Sequence, residues 1–408
     1  MRRRARTGAQ SGREGLYPVI LSLSALNVRG LDSLECEFSP GINVVCGPNG
    51  CGKTTILESV HLLSQGFSFR AKDLKEIIRW NQNEFVLRGN FEEGGHSYVR
   101  AIQAGRQKTI AKENGNAVRS PTAFFGQNPS VIMQPSDIEL LRGAPEVRRR
   151  WLDEILCFRS ASNTDLLRRY KRVLQQRNQW LKQFKKDGAA VGGEELFRIL
   201  TAQLIDLGAA LWVSRVNLAA EISPVITAYY RRLSGGADEI TCAYKSSILK
   251  EIDALDVADP LDEDSLEDIP EGGDEQAAGV PDEEVFRKAF ANKLRNREVA
   301  ERALGMTLVG PHRDDLDLCA SGYGMRSVGS QGQCRSAAIA MRFAAVDVAA
   351  RYVHKPILLL DDVFAELDVN RRDAVATLIR EKDCQVLIAT PQAEELPFKA
   401  DSQIKLGD

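Results

Sequence analysis

The stretch "GPNGCGKTT", residues 47–55, decides how the rest of this chain is interpreted. The run "INVVC" before it is typical of a buried strand, and "TTILESVHLLSQ", residues 54–65, has apolar residues at helical spacing. The pattern G-x-x-x-x-G-K-[ST] is satisfied by Gly47, Gly52, Lys53 and Thr54. A strand before this pattern and a helix after it predict a phosphate-binding loop rather than a glycine-rich turn.

Each part of this loop has a chemical role in binding ATP. Glycines let backbone N–H groups turn inward around the β-phosphate, and the helix that follows points its positive end at the anion. Lys53 is placed to reach the β- and γ-phosphates, and Thr54 to offer its hydroxyl to Mg²⁺. The residues predicted to bind ATP here are Gly47, Pro48, Asn49, Gly50, Cys51, Gly52, Lys53 and Thr54.

A second acidic motif, "PILLLDDVFAELD" at residues 356–368, supplies a partner for the loop. Its all-apolar run predicts a strand buried on both faces, and ligands bind at the carboxyl ends of such strands. Asp361 is the candidate Mg²⁺ ligand, and Asp362 is placed to orient and deprotonate an attacking water. The alternative is an acidic strand end that caps the next helix, and the phosphate-binding loop disfavours it.

A third motif, "VGSQGQCR" at residues 328–335, precedes a predicted helix. The start of a helix with a serine hydroxyl and glycine backbone can grip a phosphate. A second phosphate-binding site is redundant within one subunit unless it binds a nucleotide held by another copy of the protein. Ser330 and Gly332 are placed to do so, and the resemblance described next extends this set to Gln331 and Gln333.

Four motifs in this order and spacing resemble those of the RecF family of bacterial recombination-repair proteins, namely "GPNGCGKT", "VGPHRDD", "GSQGQ" and "LLLDDVFAELD". That family belongs to the ABC-type ATPases, which include Rad50 and the SMC proteins. The segment "PSDIELLRGAPEVRRRWLD", residues 135–153, is also similar, and the resemblance covers about residues 18–395.

The resemblance implies that ATP is sandwiched between two heads of a head-to-tail homodimer, with the loop of one subunit facing the serine motif of the other. It assigns Asp361 as the Walker B ligand and Asp362 as the general base. It also places Gln134 as the glutamine that links Mg²⁺ to the arm. The implied catalytic residues are Asp362, Lys53 and Gln134, and the implied metal residues are Thr54, Asp361 and Gln134.

The sequence departs from transporter ATPases of this class at two positions. They carry a glutamate after the Walker B aspartate, and the shorter Asp362 here suggests slow hydrolysis. They also carry a switch histidine after the last strand, whereas Thr390 and Pro391 stand here, which leaves the γ-phosphate sensor open.

The predicted fold class is α/β: an ABC-type P-loop ATPase head with an inserted helical, coiled-coil-like arm. The predicted order is a disordered basic tail at 1–15, the N-terminal part of the head at 16–144, the arm at 145–300 and the C-terminal part of the head at 301–408. The arm includes an acidic segment at about 251–284 that predicts a disordered loop. Two alternatives stay open: a tail that touches phosphates, and an acidic segment that mimics nucleic acid and covers a basic groove.

Composition narrows the class of protein. Of the 408 residues, 43% are hydrophobic and 27% charged, as in soluble globular proteins. The eight cysteines form no CxxC pair and histidines number four, so a zinc site, a disulfide scaffold and a metal-catalysed hydrolase are disfavoured. No window reaches the roughly 18 uninterrupted apolar residues of a membrane helix. We therefore expect a cytoplasmic, nucleoid-associated protein with no membrane partner.

The net charge of −2 conceals an uneven distribution. Residues 251–284 hold fifteen acidic side chains and no Lys or Arg, and the rest of the chain holds 41 acids against 54 bases. Residues 142–186 carry thirteen bases against four acids, with aromatics that predict an arm core. The candidate DNA contacts are Arg148, Arg149, Arg150, Arg168, Arg169, Lys171 and Arg172.

Together with these features, the resemblance implies an ATP-switched protein of recombinational repair and replication-fork maintenance, with weak DNA-dependent ATPase activity. ATP would close two subunits around duplex or gapped DNA, including its single-stranded part. The resemblance further implies RecR and RecO as partners, loading of a recombinase and a need in SOS induction. The alternative is another SMC/Rad50-like chromosome-maintenance ATPase, which would need a longer coiled coil. A transporter cassette would need the switch histidine.

Overall fold

The computed structural model describes residues 17–124, 128–236, 239–256, 281–320, 322–352, 355–365 and 367–407. These residues form two compact units. The first combines the described parts of Met1–Ser136 and Ala345–Asp408, and the second is Asp137–Ala344. The predicted tail at 1–15 lies outside the described residues.

The first unit contains a parallel sheet that draws its strands from both ends of the chain. Its order is β14-β3-β13-β12-β8, and every neighbouring pair is parallel. The strands are β3 (Ile42–Cys46), β8 (Ser130–Met133), β12 (Ile357–Asp361), β13 (Val386–Thr390) and β14 (Ser402–Lys405). The prediction that an α/β sheet is interrupted by an arm and then resumed is confirmed.

A second, antiparallel sheet covers the other side of the first helix. It has the order β2-β1-β4-β5-β6-β7. Helix α1 (Lys53–Gln65) contacts strands of both sheets, and almost all of its side chains are buried. The strands are β1 (Val19–Val28), β2 (Leu31–Glu37), β4 (Glu84–Glu93), β5 (His96–Gly105), β6 (Thr109–Glu113) and β7 (Asn116–Val118). The helix that follows the loop is thus fixed inside the core.

The second unit is mostly helical. Helices α4 (Ala161–Asp187) and α5 (Gly193–Ser234) pair antiparallel through a short turn, with the Trp180 ring 4.4 Å from the Phe197 ring. The other helices are α2 (Glu139–Arg142), α3 (Pro145–Arg159), α6 (Leu249–Asp256), α7 (Glu283–Leu304), α8 (Met325–Val328), α9 (Gln331–Tyr352) and α10 (Val369–Glu381), of which α10 and the end of α9 belong to the first unit. The predicted antiparallel arm is confirmed.

One ion pair lies in the interior of this arm. Arg177 of α4 donates to Glu301 of α7 at 2.7 Å, and both side chains are fully buried. The same guanidinium donates to Thr201 and Thr307, and Leu308 N donates to the second carboxylate oxygen of Glu301 at 2.7 Å. Because its polar groups are paired, the buried charge pair can be tolerated between three chain segments.

A three-stranded sheet in the second unit was not predicted. Its order is β11-β10-β9, formed by β9 (Ile240–Lys245), β10 (Asp315–Ala320) and β11 (Tyr323–Gly324). The expectation that residues 145–300 are wholly helical is therefore wrong at β9. The two compact units divide at Ser136/Asp137 and Ala344/Ala345. The predicted domain limits at 144 and 300 differ from these divisions and stay predictions.

The two ends of the acidic segment at 251–284 are helical rather than loop. Residues 251–256 are the continuation of α6, and Glu283 and Glu284 are the first turn of α7. Acidic side chains in that turn favour the helix because they face the positive end of its dipole. The predicted disorder is wrong for these edges, and residues 257–280 lie outside the described part of the chain.

By length and composition alone α5 could cross a membrane. Its Arg215, however, is buried midway along the helix and donates to Asp153 of α3 at 2.7 and 3.0 Å. Its apolar residues pack on α4, α7 and β9. These contacts are typical of a core helix, and a core helix can be as long and as apolar as one that crosses a membrane.

Candidate nucleotide-binding site

The loop between β3 and α1 has a backbone that only glycine permits at two positions. Gly47 has φ +150°, and a Cβ there would lie 2.4 Å from the carbonyl oxygen of Leu406. Gly52 has φ +107°, and its Cβ would lie 2.6 Å from Leu31 Cδ2. Side chains at these positions would force the loop open. The glycines of the motif are therefore required by the backbone path itself.

The lysine of the loop folds back into it. Lys53 is buried, and its Nζ donates to the carbonyl oxygens of Gly47 at 2.7 Å and Pro48 at 2.9 Å. The ammonium group is thus held at the inner side of the loop, where the first N–H groups of α1 also lie. This cation and these donors suit a bound phosphate.

The Walker B candidate meets the loop threonine directly. Thr54 Oγ1 donates to both carboxylate oxygens of Asp361, at 2.9 and 3.0 Å. A hydroxyl and a carboxylate that converge in this way are oxygen ligands of the kind that Mg²⁺ binds, usually with substrate phosphates completing its shell. The described residues contain no cluster of three His, Cys, Asp or Glu for a protein-only metal site. The donor set therefore fits a metal held jointly with a nucleotide.

Burial raises the pKa of Asp361, and the neighbouring charge of Asp362 raises it further. The Thr54 hydrogen bond and the positive charges of Arg70 and Lys53 oppose this rise. A carboxylate desolvated in this way binds a cation more strongly, because less water competes for it.

Asp362 adopts a left-handed backbone, with φ +51°. Its N–H donates to Ala389 O at 2.9 Å, and its carbonyl accepts from Ala365 N at 3.2 Å. Asp and Asn are among the few residues that enter this conformation without large strain. The chain turns sharply at this residue, immediately after the end of β12.

Strand register brings the remaining candidates to the same sheet edge. Leu360 lies opposite Met133, so Gln134 follows β8 beside Asp361. Thr390 ends β13 opposite Cys46, the residue before the loop. Thr390 is buried, and its hydroxyl donates to Gln392 O at 3.3 Å. The carboxyl ends of four adjacent parallel strands thus assemble the loop, both aspartates, Gln134 and Thr390.

Sequence reasoning missed a charged cluster behind the loop helix. Glu58 of α1 is buried and accepts two bonds from Arg29, at 2.6 and 2.7 Å. Arg70 lies 3.7 Å from Glu58 and exerts its charge on Asp361. No local pattern marks Arg29 or Arg70, because each is a single basic residue between predicted elements.

The serine motif begins α9, in the second unit. Gln333 N donates to Ser330 Oγ at 3.2 Å, and Ser330 N donates to Gln333 Oε1 at 2.9 Å. This reciprocal pair is a capping box, which satisfies two free N–H groups at the start of a helix. Ser330 and Gln331 are exposed, and Gly332 and Gln333 are partly exposed. The motif therefore presents a capped helix N-terminus at a surface.

The candidate DNA contacts divide into two groups. Arg148 is buried and donates to both oxygens of Asp315, at 2.7 and 2.8 Å, and to two backbone carbonyls. Its assignment as a DNA contact is therefore corrected to a structural role. Arg149 is half-buried and donates to Asp314 O at 2.6 Å. The exposed candidates are Arg150, Arg168, Arg169, Lys171 and Arg172.

Arg169 and Arg172 line an open groove of about 390 Å³ between α4 and α5. The aromatic residues of this stretch are core, as expected, with Trp151, Tyr170 and Trp180 all buried. A basic surface on α4 therefore lies over an apolar interior.

The motif "GPHRDD" holds the arm together. Asp314 is buried and accepts from Trp212 Nε1 at 2.5 Å and from Tyr244 OH at 2.8 Å. Asp315 holds Arg148, and His312 Nδ1 accepts from Tyr170 OH at 2.7 Å. These bonds join the motif to α3, α4, α5 and β9, so its residues act in folding of the second unit.

Fold and site together define an ATPase head of the ABC class with an inserted helical arm. The model of the RecF/RecN/SMC N-terminal domain matches residues 19–406. The chain is 32% identical over 378 residues to the DNA replication and repair protein RecF of Geobacter metallireducens, covering 92% of this chain and 94% of that one. It is 31% identical over 354 residues to RecF of Bacillus subtilis, covering 86% and 88%. The chain belongs to the RecF family.

Solved structures agree with this assignment. A structure of the recombination mediator protein RecF with ATP, in the RecFOR pathway, superposes with a TM-score of 0.82 at 25% identity, covering 97% of this chain and 98% of that one. An Smc head bound to ScpA superposes with a TM-score of 0.52 at 14% identity, covering 95% and 93%. The second likeness concerns the fold alone.

Proposed function

We propose that this chain is an ATP-switched DNA-binding protein of recombinational repair and replication-fork maintenance. The observation that carries the proposal is the convergence of the loop, Lys53, Thr54 and Asp361 at one sheet edge. These groups suit a nucleoside triphosphate with its metal. The relatives are named DNA replication and repair proteins, which supports a role of the ATP switch in DNA repair.

ATP acts in this proposal by joining two copies head to tail. The loop surrounds the phosphates from one side, and the exposed start of α9 in the other copy approaches them with Ser330, Gln331, Gly332 and Gln333. The capping box orients the Ser330 hydroxyl, and the helix dipole favours the negative charge. The exposure of this cap supports the proposed dimer, because an exposed polar helix N-terminus can contact a nucleotide bound by the other copy.

Hydrolysis resets the switch. Asp362 activates water, Lys53 stabilises charge that develops on the phosphates, and Gln134 acts from the end of β8 beside Asp361. Thr54, Asp361 and Gln134 would hold Mg²⁺, which would supply positive charge to neutralise the phosphates. The short Asp362 side chain is expected to make hydrolysis slow, and bound DNA is expected to raise its rate.

DNA lies against the arm. Arg150, Arg168, Arg169, Lys171 and Arg172 present charge on the exposed faces of α3 and α4. Contacts of this kind bind phosphates without reading base order, and they weaken as salt rises. Two arms joined by ATP would clamp duplex or gapped DNA and recognise its shape.

The protein acts in the cytoplasm on the nucleoid with other repair factors. The RecF structures are described as part of the RecFOR pathway, which supports RecR and RecO as partners. Their joint task would be to load the recombinase onto gapped DNA, a step that SOS induction needs.

The proposal is tested by light scattering on the 45.1 kDa chain with ATP and Mg²⁺. Asp362→Asn removes the base but keeps a residue suited to the left-handed backbone, so it should bind ATP, dimerise and lose about 10²-fold or more in hydrolysis rate. Lys53→Ala is the matched control and should stay monomeric. A monomeric Asp362→Asn chain under saturating ATP would overturn the switch.

A further inference from the structure

Two neighbouring turns of the first unit form a surface that the nucleotide site does not use. Residues 79–83, "RWNQN", precede β4, and residues 105–108, "GRQK", follow β5. Glu84 pairs with Gly105 in the sheet, and a Cβ on Gly105 would lie 3.4 Å from Asn83 O. The two turns therefore lie side by side at one end of the antiparallel sheet.

Trp80 is the most conspicuous side chain of this surface. Its indole is 88% exposed, more than any other large apolar side chain in the described part of the chain. Tryptophan is usually largely buried, because its area makes exposure to water unfavourable. Burial of this ring against a partner is therefore favourable. The backbone around Trp80 explains why the ring stays in solvent in the isolated chain.

The backbone around Trp80 is firmly held. Arg79 N donates to Asn27 O at 2.9 Å, and Gln82 N donates to Arg79 O at 3.0 Å. Asn81 has φ +63°, which closes the turn. The indole is thus projected from an ordered turn, so a ligand that covers it meets a preformed surface.

The two turns have the composition of a nucleic-acid contact. They contain three cations, four side-chain amides, one indole and no acidic residue; the members besides Trp80 and Gly105 are Arg79, Asn81, Gln82, Asn83, Arg106, Gln107 and Lys108. Asp32 pairs with Arg79, which leaves Arg106 and Lys108 as the cations available to phosphates, and Glu84 accepts from Gln103 at 2.9 Å. Cations suit phosphates, amides suit base edges, and an indole suits the face of a base.

We propose that these turns bind single-stranded DNA, with one unpaired base stacked on Trp80 and adjacent phosphates at Arg106 and Lys108. Bases in a duplex are already stacked on each other, so the exposed ring is suited to a strand whose bases are free. This inference rests on the proposed function and extends it, because it gives the ATPase head its own contact with the unpaired strand of gapped DNA.

A chain of contacts joins this surface to the nucleotide site. Ile77, at the end of the 3₁₀ turn Leu74–Ile77 just before "RWNQN", accepts from Arg29 N at 2.7 Å. The Arg29 guanidinium holds Glu58 of α1, the helix that begins at Lys53. The segment that carries Trp80 is thus linked by hydrogen bonds to the helix that follows the phosphate-binding loop.

The test titrates the full chain with a short, dye-labelled oligothymidylate: tryptophan emission reports on Trp80 in the parent chain, and the anisotropy of the dye gives the affinity of every variant. The protein has four tryptophans, and Trp151, Trp180 and Trp212 are buried, so quenching by the oligonucleotide reports on Trp80. Trp80→Ala should bind about tenfold more weakly, and Trp80→Phe should keep most of the affinity, since a base stacks on either ring. Arg106→Gln with Lys108→Gln should lower the slope of log affinity against log salt by about 0.7 for each phosphate that is no longer neutralised.

Tyr323→Ala is the matched control, because it removes a 68% exposed aromatic ring from the second unit. It should leave the affinity for the oligonucleotide unchanged. Binding of the oligonucleotide without quenching, equal quenching by a duplex, or wild-type affinity in Trp80→Ala would each overturn the inference. A complete lack of response to single strands would overturn it as well, and would point to a protein as the occupant of this surface. Light scattering with ATP is independent of Trp80, so the two proposals fail separately.

Discussion

His312 shows how packing sets the charge of a single side chain. Its Nε2 donates to Thr307 O at 3.3 Å, which leaves Nδ1 to accept from Tyr170 OH at 2.7 Å. Burial lowers the pKa of His312, the Thr307 hydrogen bond opposes this fall, and the positive charges of Arg313 and Arg149 add to it, so that the pKa is about 4. The neutral ring is therefore part of the folded second unit at physiological pH.

This histidine should make the stability of the second unit depend on pH. Between pH 6.5 and 4 the unfolded chain binds a proton at His312 that the folded chain does not. The free energy of unfolding should fall as pH decreases through that window, by up to about 3 kcal/mol. In His312→Gln the fall should be smaller by that amount.

Urea unfolding in a Trp80→Phe background measures this effect, because the remaining emission comes from Trp151, Trp180 and Trp212 of the same unit. Stability curves of His312→Gln and the parent that run parallel from pH 6.5 to 4.5 would contradict the expectation.

At single residues, the sequence predicted which side chains lie close together better than it predicted their exposure. Lys53, Thr54 and Asp361 meet as expected because their roles follow from the spacing of one loop and one strand. Arg148 stands in a basic run and was expected at the surface, yet it is buried against Asp315, which lies far along the chain. Charge is visible in a sequence, but the partner that buries it is not.

The cap of α9 has a structural role and a proposed role in phosphate contact, and substitutions at Ser330 can separate the two. Ser330→Ala removes the hydroxyl that accepts from Gln333 N, so we expect a loss of about 1 kcal/mol in unfolding free energy. Ser330→Asp keeps a good capping oxygen and should retain stability, but its charge would repel a triphosphate. Both variants should fail to dimerise with ATP.

Thermal unfolding and light scattering on the same samples give the two readings. An Asp variant that dimerises with ATP as well as the parent chain would contradict a phosphate contact at this cap. Glu139→Gln serves as a control, because it changes an exposed acid in the short helix α2 of the same unit.

Elements with a clear period were predicted closely, and those that depend on distant partners were not. The strand "INVVC", the helix at 54–65 and the apolar strand of "PILLLDD" match β3, α1 and β12 within a few residues. Strand β9 was missed because six residues between helices have little local signal, and its partner β10 is far along the sequence. The ends of the acidic segment were missed because charge alone predicted disorder, whereas α6 and α7 pack against each other.

The proposed dimer makes a prediction for mixtures of subunits. Lys53→Ala and Ser330→Ala chains should each be nearly inactive as ATPases, yet their heterodimer has one site with an intact loop and an intact cap. Mixing them should restore part of the activity, up to half per heterodimer. Mixing Lys53→Ala with a chain that carries both changes should restore nothing, and equal rates in the two mixtures would contradict shared sites.

The parallel sheet has a consequence for biosynthesis. Both neighbours of β3 come from the end of the chain, and Asn43 donates to Val386 across 343 residues. At bacterial translation rates that interval lasts roughly 20 to 70 s, during which β3 has no strand to pair with. The sheet that positions the phosphate-binding loop can therefore form, and bind a nucleotide, only after strands β13 and β14 have left the ribosome.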